Sequence, residues 1–123
     1  MSISIVVLLL ADVLLAAGGQ LLLKKGVSIL GPLDFSIRNI PLLFLAVFKN
    51  IYILVALFMY GFGLMFWLFV LSKTRLSIAY PALSIVYILV IFGSWLFFKE
   101  AITLNQLTGT LLILVGLFFL FQA

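Results

Sequence analysis

The sequence predicts an all-α membrane protein: four transmembrane helices, with a short interfacial helix between the first and the second. Of its 123 residues 67% are hydrophobic and only 8% charged, with a mean hydropathy of +1.50. That is more apolar side chain than a water-soluble domain can hide, because too little polar surface is left to face water. Several windows reach the roughly 20 apolar residues that a helix needs to cross the hydrocarbon core of a bilayer. Charged residues cluster between these windows, Asp12 excepted. With the windows set aside no stretch remains for a water-soluble domain, so residues 1–123 read as a single transmembrane domain.

The first span is placed at about 3–23, ending at Lys24–Lys25. No basic stretch precedes its apolar run, so it reads as a retained helix rather than a cleavable signal peptide. The connection that follows is the longest and holds "GPLDFSIRN", then "IPLLFLAVFK" at residues 40–49. That apolar segment is too short to cross and is closed by Lys49, which suits an interfacial helix; an early start to span two is the alternative. Spans two, three and four are placed at about 51–72, 78–98 and 103–121, punctuated by Lys73 with Arg75 and by Lys99–Glu100. The loops after spans one and three then share one side, with Lys24, Lys25, Arg38, Lys49 and Lys99 against Lys73 and Arg75 opposite. The positive-inside rule puts that side in the cytoplasm and both termini outside it.

There are no cysteines and no histidines. Disulfides, thiol chemistry and the usual transition-metal ligands are excluded, and neither a metal nor a cofactor is expected. Nor does a nucleophile–base pair or metal cluster appear, so an enzyme is not expected. The net charge of +4 is spread over loops. It speaks to topology and to the headgroups of membrane lipids rather than to nucleic acid.

Helical spacing of three, four and seven then sorts the polar groups into faces. In span one, Asp12, Ala16, Gly19 and Leu23 are in line, with Gln20 beside Gly19. Asp12 lies near the midpoint, where an ionised carboxylate is costly without a cation or water. Three readings are open: a protonated acid bonded within the bundle, a proton or cation site, or a span shallow enough for Asp12 to reach the interface. Span two carries Tyr52, Ala56, Tyr60, Gly63 and Trp67 on one stripe. Span three begins with "SIAYPALS" and carries Tyr80, Ser84, Tyr87, Ile91 and Ser94 at steps of 4, 3, 4 and 3. Pro81 removes a helical hydrogen bond and frees a carbonyl at a kink. Such stripes serve either helix packing or the wall of a substrate cavity. In span four, "GTLLILVG" sets Gly109 and Gly116 on one face, with Asn105 one turn before Gly109. The two glycines suit close packing within the chain or a dimer seam.

At "GGQLLLKKG" and "LSKTRLSIAYPALSIVYILVIFGSWLFFKEAITLNQLTGTLLILVGLFFL" the chain resembles the drug/metabolite transporter superfamily, in its short EamA-like, four-helix form. The pieces "SIAYP", "KE" and "GTLLILVG" fall in that family's order, and within it the chain is most similar to small flippase subunits for undecaprenyl-phosphate-linked aminoarabinose. Small multidrug resistance transporters are more distant relatives. Their span-one glutamate falls at Ala16, one turn after Asp12. Their binding-site tyrosine matches Tyr80, and the tryptophan three residues on is Leu83 here. Their paired dimer glycines match Gly109 and Gly116.

The resemblance implies a substrate cavity at Asp12, Gly19, Gln20, Tyr60, Trp67, Tyr80, Pro81, Ser84 and Tyr87. It also implies pairing with a second copy or a similar small subunit, since larger relatives carry two such halves. Lys24, Lys25, Arg75 and Lys99 are placed to attract a phosphate headgroup, or simply to mark topology. The expected function is a transporter or flippase for a lipid-linked sugar or other amphipathic metabolite, in a prokaryotic inner membrane. A proton-coupled exporter of organic cations and a non-transporting accessory subunit are the alternatives.

Overall fold

The computed structural model describes residues 2–32, 36 and 38–122. Its helices are α1 (Ile3–Leu30), α2 (Ile40–Lys49), α3 (Ile51–Lys73), α4 (Leu76–Ala82), α5 (Ile85–Phe98) and α6 (Leu104–Gln122). Counting α4 and α5 as one span, four helices are long and apolar enough to cross a bilayer, and the chain is an integral membrane protein. Leu33, Asp34, Phe35 and Ile37 of the long connection lie outside the described residues.

The first span differs most from expectation. Ser2 caps α1 by accepting from the Ile5 amide, and the helix runs 28 residues to Gly31, whose φ of 78° is open to glycine. At 1.5 Å per residue that is about 42 Å, well beyond the ~30 Å hydrocarbon core. Lys24 and Lys25 therefore do not end the helix; they sit exposed on it, and it continues for more than a turn. Their long stems let the ammonium groups reach water from within a helix. What holds the extra turns is a contact with α3. The buried Asn50 donates from Nδ2 to the Gly26 carbonyl at 3.0 Å, and its Oδ1 accepts from the Tyr52 and Ile53 amides at the start of α3.

Packing of α1 on α3 is the main interface. Ile5, Asp12, Gly19 and Gly26 are buried at intervals of seven, as are Ala56, Gly63 and Val70 on α3. Seven residues are nearly two turns, so each set faces its neighbour along the whole helix. Small residues let the backbones approach closely. A Cβ on Gly26 would come within 2.7 Å of Ile53 Cγ1, and one on Gly19 within 3.1 Å of the Tyr60 ring.

The third span is interrupted. Pro81 has no amide hydrogen, and Leu83 and Ser84 turn tightly with i→i+3 bonds to Tyr80 and Pro81. The half-helix α4 packs through Ala79 and Ala82 against Ile5, Leu9 and Val70, while α5 leans on α1 where Gly93 meets Leu21. α2 is the expected short helix: ten residues, none buried, with Phe44 and Phe48 exposed. Opened by a Thr103–Gln106 capping box, α6 buries only Leu117.

Candidate functional site

Asp12 is buried at 8% exposure with its carboxyl against α3. The neighbour that makes room is Gly63: a Cβ there would stand 2.8 Å from Asp12 Oδ1. Asp12 lines a cavity of about 400 Å³ together with Ala16, Tyr60, Leu64, Trp67, Leu83 and Val86. The Tyr60 ring lies flat over Gly19, and its buried hydroxyl has no hydrogen-bond partner. A buried acid and an orphan hydroxyl in one cavity are groups that a polar ligand or water would satisfy.

The helix break shapes the next cavity. Gln20 of α1 faces Tyr80, Pro81, Ser84 and Tyr87 across about 420 Å³, and Leu83 and Val86 form the wall shared with the Asp12 cavity. Edge-to-face contact of Trp67 with Tyr80, at 6.3 Å between ring centres, links the two cavities from the other side. All nine residues expected at a substrate cavity therefore fall in one region. Tyr80 and Tyr87 are largely exposed, so the polar stripe of span three faces outward from the chain rather than into a closed bundle.

The four expected headgroup residues do not come together. Lys24, Lys25 and Lys99 lie toward the end of the molecule where α1 finishes and α6 begins, whereas Arg75 starts α4 at the opposite end. Lys25 heads an apolar cavity of about 420 Å³ with Leu21, Leu22, Met59, Phe97 and Phe98. Lys99 takes a left-handed conformation (φ 55°) and caps α5. Gly109 and Gly116 face open space: among the described residues, a Cβ on either would meet nothing within 4 Å.

Three residues were passed over in the sequence. In the sequence Gly63 stands only as one member of a stripe, although its missing side chain seats Asp12. Asn50 gave no signal beyond an asparagine before an apolar run, which is an N-cap cue. In the sequence Glu100 only marks a span end, yet with Ser94 and Gln106 it bounds a further cavity of about 220 Å³ at the α5–α6 junction.

The EamA-like transporter family model matches residues 2–122. Among curated proteins, the chain is similar to the probable 4-amino-4-deoxy-L-arabinose-phosphoundecaprenol flippase subunit ArnE of Aeromonas hydrophila, at 34% identity over 90% of this chain and 91% of that protein. It is similar to the ArnE subunit of Aeromonas salmonicida at 43% identity over 46% of this chain and 49% of that protein. It is also similar to the probable 4-amino-4-deoxy-L-arabinose-phosphoundecaprenol flippase subunit ArnF of Serratia proteamaculans, at 32% identity over 86% of this chain and 83% of that protein. No solved structure matches the chain.

Proposed function

The chain belongs to the EamA-like transporter family, and on that premise we propose that it is one subunit of an inner-membrane flippase for an amine-bearing sugar carried on a polyprenyl phosphate. The observation that carries this is Asp12, seated on Gly63 in a cavity whose described walls hold no lysine or arginine. A carboxyl in such surroundings suits a cation, and the relatives' names specify an amino sugar. Hydroxyls of Tyr80, Ser84 and Tyr87 in the adjoining cavity suit the sugar ring. The apolar cavity headed by Lys25 suits a prenyl chain with its phosphate at the ammonium.

Two such subunits would be needed to enclose a path. The α4–α5 stripe lies open at the surface, and among the described residues the space beside Gly109 and Gly116 on α6 is empty. Pairing through α6 with a second copy or a similar small subunit supplies the missing wall. Asp12 also keeps a second reading in play, proton-coupled export of organic cations, which uses the same cavity without a lipid anchor.

The test uses proteoliposomes containing the chain alone, or together with a second, similar small subunit. The probe is 4-amino-4-deoxyarabinose linked to farnesyl phosphate, followed from one leaflet to the other. Protein-dependent movement is expected in at least one composition, with a clear loss in Tyr80→Phe, which deletes one hydroxyl. Movement of a soluble organic cation coupled to protons, with no movement of the lipid probe in either composition, would establish the second reading instead.

A further inference from the structure

Three cavities follow one another along α5, each sharing wall residues with the next, and together they form one groove-like row. Leu83 and Val86 are common to the Asp12 cavity and its neighbour, and Tyr87 and Val90 are common to that neighbour and the cavity at Glu100. From Leu83 to Ser94 the groove follows about 16 Å of helix, roughly half the hydrocarbon thickness. Among the described residues lining it, the charged groups are Asp12 at one end and Glu100 at the other; no lysine or arginine takes part. The hydroxyl-bearing Tyr80, Ser84, Tyr87 and Ser94 lie between.

We propose that Glu100 is the entrance residue of this groove: it takes the amino group of the headgroup at the membrane surface, before that group passes along the α5 hydroxyls to Asp12. This rests on the flippase reading above.

Glu100 sits on a fixed support. The amides of Lys99 and Glu100 both donate to the Ser94 carbonyl, closing α5, and the Thr103–Gln106 capping box holds the start of α6. Only Ala101 and Ile102 separate these two anchors. The Glu100 carboxylate is exposed and makes no ion pair or hydrogen bond among the described residues, so its acceptor oxygens are open to a ligand. An ammonium donor suits them best, because hydrogen bonds between charged partners are about twice as strong as neutral ones. At about 220 Å³ the cavity has the volume of roughly seven waters, room for a small headgroup and not merely a bare ion. Lys99 and Trp95 line the adjoining cavity of about 610 Å³, which shares Glu100. A phosphate attached to the same headgroup would find its counter-charge there.

The chain has two tryptophans, one in each end cavity: Trp67 beside Asp12 and Trp95 beside Glu100. In Trp67→Phe protein, held in lipid nanodiscs, Trp95 alone reports on the entrance. Two probes are titrated: 4-amino-4-deoxyarabinosyl farnesyl phosphate and its N-acetyl form, which lacks the cation. The amine form should shift Trp95 emission and bind about tenfold more tightly than the acetylated form, as expected for one hydrogen bond to a charged group. Glu100→Gln should abolish that preference, and Glu100→Asp should retain part of it. An undiminished preference in Glu100→Gln would overturn the assignment. Probe movement is followed in proteoliposomes of protein that keeps Trp67, because Trp67 lines the Asp12 cavity: movement with a Glu100-independent preference sinks the entrance site alone, whereas no movement by that protein sinks the flippase reading with it.

Discussion

At the scale of single residues, a glycine seats the buried acid and an asparagine ties two helices together. Gly63 leaves the space that Asp12 Oδ1 occupies, so Gly63→Ala must displace the carboxyl or the helix beside it. Overpacking of this kind costs about 1–3 kcal/mol. The expected outcome is a folded protein that loses probe movement at least as severely as Asp12→Asn; wild-type transport by Gly63→Ala would mean that the seat of Asp12 is unimportant. Asn50 acts away from the cavity. Its side chain caps α3 and ties the Gly26 carbonyl of α1 to it. Asn50→Ala removes those bonds at a buried position and should lower stability in detergent by about 1–3 kcal/mol. Thermal unfolding followed by circular dichroism measures that loss. The sequence made Asp12 visible, because an acid among leucines and valines is conspicuous. It could not show that Gly63 lies opposite Asp12, since nothing local encodes the offset between α1 and α3.

Among the elements, the broken third span and the loosely held α6 matter most. Pro81 deprives span three of one helical bond, and the tight turn at Leu83–Ser84 follows. Pro81→Ala restores the amide, which favours a straighter span and a narrower gap at Leu83. Transport should fall while thermal stability holds or rises, the opposite pattern from a packing defect. This break was legible, since a proline inside an apolar run has few other consequences. The seven-residue spacing of Gly109 and Gly116 was legible too, but spacing alone does not say whether a close neighbour belongs to the same chain. With open space around both glycines, Gly109→Leu and Gly116→Leu should leave the monomer within about 0.5 kcal/mol of its original stability. Both should lower the dimer fraction seen by light scattering in detergent; an unchanged dimer would move the seam to another face.

At the scale of the whole molecule, the odd number of crossings between them separates Arg75 from Lys25 and Lys99, placing these charges at opposite ends. Four apolar windows were sufficient to foresee this, because in lipid an apolar run of that length has few alternatives to a spanning helix. The length of α1 was not foreseen. Lysines usually mark a span end, and only the contact of Gly26 with Asn50 explains why the helix continues past them. Single cysteines at Ser36 and Ser72, labelled from outside intact cells, test the orientation expected from the charge bias: position 72 should label and position 36 should not. Reversed labelling would place the Glu100 entrance on the outer face.

A headgroup that travels in the groove along α4 and α5 must touch the residues that line it. A farnesyl phosphate-linked 4-amino-4-deoxyarabinose carrying a diazirine on the sugar tests this most directly, after photolysis in membranes and peptide mapping. Adducts are expected between Tyr80 and Ser94, competed away by the unlabelled probe and weaker for the N-acetyl form. Adducts confined to the outer faces of α2 and α6, unaffected by competitor, would contradict travel in the groove.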